Sequence, residues 1–119
     1  MSLTKTQLDY RKKGIGGTDA AGILGLSKYK TPLSIYLDKI GELDKPEENE
    51  YMYWGNVLEN PVAEKFCIET GKKIRNINTT YIDSQYPFLL GNIDRKVLGE
   101  ESGLEIKTCS EYRREEWDG

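Results

Sequence analysis

Two acids and a lysine stand at strand-like spacing in the second half of this 119-residue sequence. Asp94 lies in Gly91-Asn92-Ile93-Asp94-Arg95, and Glu105 and Lys107 lie in Gly103-Leu104-Glu105-Ile106-Lys107-Thr108. Side chains alternate along an extended segment, so Glu105 and Lys107 share one face while Leu104 and Ile106 turn to the other, toward a core. Asp94 joins them only if the hairpin register opposes it to Lys107 or Glu105, because directly opposed residues share a face. Opposition to Lys107 pairs Lys96 with Glu105 and Leu98 with Gly103, and leaves Gly99 to Ser102 as a four-residue loop of ordinary length. Two carboxylates converging in this way suit an oxygen-seeking cation, Mg²⁺ or Mn²⁺. Such an ion would lower the pKa of a bound water and offset charge developing on a phosphate. Lys107 beside it could orient the attacking water, help deprotonate it, or stabilise the transition state, and the sequence is compatible with all three. Acid-x-lysine opposite an acid also serves as an exposed ion pair on many sheets. The Gly-Asn-x-Asp-Arg segment at hairpin distance is what weighs toward chemistry.

The composition narrows the alternatives. The sequence has no histidine, which removes Ser-His-Asp and Cys-His triads, histidine-ligated zinc and histidine general bases together. Cys67 and Cys109 are far apart and in no Cys-x-x-Cys spacing, which argues for two reduced thiols rather than a disulfide framework or a zinc site. The chain is 37% hydrophobic and 31% charged, with a mean hydropathy of -0.66, within the range of globular proteins. It has no apolar run near the roughly 20 residues needed to span a bilayer. The opening Met1-Ser2-Leu3-Thr4-Lys5 lacks the apolar core of a signal peptide, so the expected address is cytoplasmic. A net charge of -3 is not that of a DNA-coating protein. Basic residues nonetheless cluster at Arg11-Lys12-Lys13, at Lys28 with Lys30, and at Lys72-Lys73 with Arg75, which permits a local cationic rim on an acidic body.

Three helices and then three strands must position these groups. Thr18 or Asp19 can cap a short helix through Ala20 to Leu24, ended by Gly25, with Gly14 to Gly17 as a loop entering its N-terminus. Thr31-Pro32 starts a second helix whose Leu33, Tyr36, Leu37 and Ile40 fall on one face before Gly41. Asp44 to Glu50 reads as an exposed loop. Tyr51 to Thr70 is helical by the spacing of Leu58, Val62 and Phe66, with Gly71 as its stop. Pro61 either bends that helix or marks a fresh start capped by Asn60. Strands are expected over Ile74 to Ile82, Phe88 to Leu98 and Leu104 to Cys109, joined by short breaks as an antiparallel meander. Helices against one face of such a sheet give an α+β fold. The length suits a single unit spanning residues 1–119. A three-stranded sheet, with an amphipathic element just starting at Glu115 to Gly119, reads as unfinished.

The strand pattern resembles the D…(D/E)-x-K core of the restriction-endonuclease-like nucleases, and specifically the lambda-exonuclease and YqaJ-like viral recombinase family. Trp54-Gly55-Asn56-Val57-Leu58-Glu59 is similar to that family's W-G-x-x-x-E helix, whose glutamate lies over the metal site. Arg11 through Ala21 is similar to its R-x-x-x-I-G-G-S-D-A-A segment, with Thr18 where serine is usual. A glycine loop feeding a helix N-terminus presents N–H groups and partial positive charge to an anion.

The resemblance implies an α+β, restriction-endonuclease-like core of which the C-terminal portion is missing. It implies metal held by Asp94, Glu105 and the main-chain oxygen of Ile106, with Glu59 acting directly or through water. Asp94, Glu105, Lys107 and Glu59 would be the catalytic set, and Arg11 and Thr18 would hold DNA phosphates. The implied function is Mg²⁺- or Mn²⁺-dependent 5′ to 3′ resection of double-stranded DNA ends for phage-type recombination in a bacterial or phage-infected cell. Implied partners are duplex ends, a single-strand annealing protein and, in the full-length protein, further copies of itself. Two other readings compete: a non-catalytic module that binds DNA ends for recombination, and an endonuclease of the same fold.

Overall fold

A computed structural model describes residues 3–118. Met1 and Ser2 of the opening segment, and Gly119 of the expected C-terminal element, lie outside the described residues. The chain divides into two compact units. A helical unit comprises residues 3–47 and 78–92, and a hairpin unit comprises residues 48–77 and 93–118.

The helical unit holds α1 (Lys5–Lys13), α2 (Gly17–Ile23) and α3 (Pro32–Lys39), with the short pair β2 (Tyr81–Ile82) and β3 (Leu90–Gly91). Helix α1 is absent from the sequence-based expectation, yet its start signal is reciprocal capping: the Gln7 amide donates to Thr4 Oγ1 at 3.2 Å and the Thr4 amide to Gln7 Oε1 at 2.9 Å. This is the Thr-x-x-Gln form of the capping box. Its apolar stripe is too sparse to announce a helix by periodicity. Helix α3 begins as expected, with Thr31 as cap and Pro32 in the first turn, and Gly41 follows in the left-handed conformation at φ +79°.

The hairpin unit holds α4 (Glu50–Thr70), a sheet of β1 (Ile74–Asn76), β4 (Arg95–Val97) and β5 (Ser102–Leu104), and a 3₁₀ turn over Glu111–Glu116. Helix α4 runs unbroken through Pro61, capped by Asn49 and ended by Gly71 at φ +69°. Pro61 is therefore interior and Asn60 does not cap. The sheet has the order β1-β4-β5, antiparallel throughout.

The fold is thus α+β with N-terminal helices and antiparallel pairing, but the three expected strands are five shorter ones. Ile74↔Val97 and Tyr81↔Gly91 belong to registers one residue apart, with residues 77–80 on one strand run matched against only 92–94 on the other. A ladder cannot pass unequal lengths without a break. Among the described residues, the buried apolar ones are few: Ile35, Ala63 and Val97. Buried polar groups stand beside them: Gln7, Asp19, Glu59, Asp94 and Arg95. Among the described residues, no helix is long and apolar enough to cross a membrane.

Candidate active site

The end of the β4–β5 hairpin brings the expected acids and lysine together, through a register that differs from the one preferred on loop length. Arg95 pairs with Leu104, Lys96 with Gly103 and Val97 with Ser102. Lys96 therefore does not pair with Glu105, and the loop is Leu98 to Glu101, turned by Gly99 at φ +86°. Extended by one residue, this register sets Asp94 opposite Glu105 rather than Lys107. The correction is a slip of two residues, so side-chain parity is kept.

The second difference concerns where the strands stop. Asp94 lies just before β4, and Glu105, Ile106 and Lys107 lie just past the end of β5. The segment expected to be strand over Leu104 to Cys109 continues without ladder bonds. In place of a ladder bond, the Ile106 amide donates to Asp94 Oδ2 at 2.7 Å. The Asp94 carboxylate thereby pins the backbone between Glu105 and Lys107, while Asp94 itself is 5% exposed.

Lys107 Nζ lies 2.9 Å from Glu105 Oε1, with both side chains about half exposed. The Lys107 ammonium is held above its ordinary range, first by the hydrogen bond it donates to Glu105. Burial opposes this, and the charges of Glu105, Asp94 and Glu59 add to it. All three acids thus act electrostatically on a single ammonium. Such a raised value keeps the lysine protonated at neutral pH.

Glu59, on α4, is buried and tied to Arg95, whose Nη1 donates to Glu59 Oε1 at 2.5 Å. The same Nη1 donates to the Asp94 carbonyl at 2.9 Å, and Nη2 donates to Asn60 Oδ1 at 2.7 Å. Burial pushes the Glu59 carboxyl up, but it sits below its ordinary range, with the hydrogen bond and charge of Arg95 among the causes that prevail. Arg95 and Asn60 are not among the site residues expected from sequence. A visible signal was an arginine inside a strand run, next to the key acid, where an alternating pattern asks for an apolar residue.

As a donor set for metal, Asp94, Glu105 and the Ile106 carbonyl offer only hard oxygens, the chemistry that Mg²⁺ and Mn²⁺ take. Among the described residues, no group of three or more acids or thiols is gathered closely enough to hold a metal ion by itself. Site filling by waters and substrate oxygens is the normal habit of Mg²⁺. Cys67 is half-buried and Cys109 exposed, both free.

The helical unit carries the other predicted residues. Thr18 is exposed in the first turn of α2, and Arg11 is half-buried near the end of α1. Neither Thr18 nor Asp19 is the α2 cap. Gly16 holds that position, and the Asp19 carboxylate reaches back to accept its amide at 3.0 Å. Asp19, 2% exposed, also meets Lys39 Nζ at 2.7 Å and Lys30 Nζ at 3.5 Å, while Lys39 donates to the Arg11 carbonyl at 2.5 Å. Burial pushes the Asp19 carboxyl up, yet hydrogen bonds from Lys39 and Gly16 and the charges of Lys39 and Lys30 hold it below its ordinary range. The helix start is thus already supplied with a carboxylate. Gly14-Ile15 is more than a loop, because the Ile15 amide donates to the Phe88 carbonyl at 2.7 Å and the Leu90 amide to the Ile15 carbonyl at 2.9 Å. A side chain on Gly14 would fall 2.6 Å from the Phe88 carbonyl oxygen and 2.6 Å from Leu90 Cδ1. That close approach is what requires glycine there.

Residues 7–119 match the family model of the YqaJ-like viral recombinase domain. Among curated proteins, the uncharacterized protein YqaJ of Bacillus subtilis (strain 168) is 46% identical over 109 residues, which cover 91% of this chain and 34% of that protein. The chain therefore spans about a third of the length of this relative.

Proposed function

From the premise that the chain belongs to the YqaJ-like viral recombinase domain family, we propose that it carries the cutting centre of a metal-dependent DNA exonuclease that resects duplex ends from the 5′ terminus. The observation that carries this reading is the hairpin end, where the Asp94 carboxylate accepts the Ile106 amide at 2.7 Å and Lys107 meets Glu105 at 2.9 Å. Asp94, Glu105 and the Ile106 carbonyl would hold Mg²⁺ or Mn²⁺, with Glu59 nearby as a ligand or through water. When bound, the ion supplies an acidified water and a counter-charge for the phosphate. Lys107 beside these carboxylates would orient the attacking water, help deprotonate it or offset negative charge on the phosphate. Arg11 and Thr18 hold backbone phosphate, including a 5′-terminal one, a role without base reading.

Both units belong in this reading to one partial nuclease domain of restriction-endonuclease-like type, since the family match runs through each of them. Duplex ends are the proposed substrate, a single-strand annealing protein the proposed partner, and self-association a property of the full-length protein. The cytoplasm of a bacterial or phage-infected cell is the proposed location. One observation favours a non-catalytic DNA-end-binding module instead: each of Glu59, Asp94 and Glu105 already has a cationic or N–H partner.

Incubation of the full-length protein with 5′-phosphorylated linear duplex and with closed circular duplex, with and without Mg²⁺, separates the readings. Nucleotide release from linear DNA alone, and only with metal, is the expected result. Nicking of circles would make it an endonuclease, and binding without cleavage would make it an end-binding module.

A further inference from the structure

The guanidinium of Arg95 joins three acceptors that belong to different parts of the hairpin unit. Two are side chains of successive α4 residues, Glu59 and Asn60, and the third is the main-chain carbonyl of Asp94. The arginine is 7% exposed and its own backbone is paired on both sides, with Asn76 and Leu104. It is therefore fixed at both ends, and whatever it touches is fixed relative to the sheet. The carbonyl it holds belongs to the same residue whose carboxylate pins the Ile106 amide. One side chain thus sets both the peptide plane from which Asp94 projects and the place of Glu59. Lysine cannot reproduce this, because a single ammonium lacks the planar fork that serves several acceptors from one rigid plane.

We infer that Arg95 is a positioning residue for the cation site, holding Asp94 and Glu59 in the arrangement that receives the metal without itself touching metal or DNA. The inference rests on the nuclease reading above and adds a residue to it. A role of this kind belongs to the shell behind the ligands, where substitutions typically cost about 10- to 100-fold in metal affinity.

The test is Mn²⁺ binding to the full chain, followed by electron paramagnetic resonance of the free ion, with thermal unfolding by circular dichroism recorded on each variant. Arg95→Lys keeps the charge and removes the fork, Asn60→Ala removes one acceptor and keeps the Glu59 pair, and Asp94→Ala removes the proposed ligand. Loss of binding in Asp94→Ala, about 10- to 100-fold weakening in folded Arg95→Lys, and a smaller weakening in Asn60→Ala support the inference. Should Arg95→Lys fail to fold, Asn60→Ala decides in the same way. Mn²⁺ affinity unchanged in the folded variants at positions 95 and 60, while Asp94→Ala loses it, overturns the inference alone. If Asp94→Ala binds Mn²⁺ as tightly as the unaltered chain, the metal reading itself is wrong and the inference falls with it.

Discussion

Each unit is built around a buried ion pair, but the two pairs join different things. In the hairpin unit, Glu59 meets an arginine that is also buried, so both charges are out of water and the fork is filled by Asn60 and a carbonyl. In the helical unit, Asp19 is buried while Lys39 and Lys30 reach it from partly exposed positions, and the remaining support comes from the Gly16 amide. Burial of two charges is tolerated only when geometry and extra hydrogen bonds repay the lost hydration. The first pair is therefore committed to one arrangement beside the candidate active site, whereas the second can exchange its cations with solvent and still hold the turn into α2.

That contrast can be broken by removing one partner at a time. Arg95→Met strips the donor from three acceptors, Glu59, Asn60 and the Asp94 carbonyl, and should cost about 3–5 kcal/mol, read as a fall in the denaturant midpoint. Asp19→Ala should cost less, about 2–3 kcal/mol, because Lys39 and Lys30 can turn toward water once the acid is gone. Gly14→Ala forces a methyl against the Phe88 carbonyl and Leu90, and should cost about 1–3 kcal/mol; Gly17→Ala, with open space around it, should change stability by less than about 0.5 kcal/mol.

Acid sharpens the comparison further. The folded Asp19 carboxyl is held below its ordinary 3.8, so its contribution is complete above that value and is lost as pH falls through the lower folded value. Asp19→Asn should therefore flatten the acid limb of the stability curve, measured by urea denaturation at a series of pH values. An acid limb identical to that of the unaltered chain would contradict the role given to Asp19. A small effect also belongs to an exposed pair: Lys72→Ala, which removes the contact with Glu100, should cost about 1 kcal/mol or less and fade in salt.

The sequence revealed those features that depend on local rules. Thr31-Pro32, Gly41 and Gly71 mark helix ends because caps and left-handed glycines act within a few residues. Alternation is the rule by which Asp94, Glu105 and Lys107 were expected to share a face, and the register error was an even number of residues, which keeps the parity of Asp94 against Glu105. Features set by pairing between distant segments were not legible. Where the ladders break depends on matching 77–80 against 92–94, and no single segment records that. A strand arginine is ordinarily exposed, and the burial of Arg95 follows from Glu59 and Asn60, some 35 residues away in the chain. Helix α1 could have been read from Thr4 and Gln7, since that capping pair is visible in the sequence. Asp19 was weighed as a cap, although its position three residues into the helix serves a different bond.

In the proposed reaction Lys107 works beside paired carboxylates on a scissile phosphate. Single-turnover cleavage of 5′-phosphorylated linear duplex in Mg²⁺, run alongside equilibrium binding of the same DNA, tests this in the full-length protein with Lys107→Ala. Loss of an electrostatic donor to the transition state should slow cleavage by about 10²–10³-fold and leave DNA binding within about twofold, because one exposed lysine adds little to phosphate contacts spread over the duplex. Cleavage at the unaltered rate by Lys107→Ala would contradict the assignment.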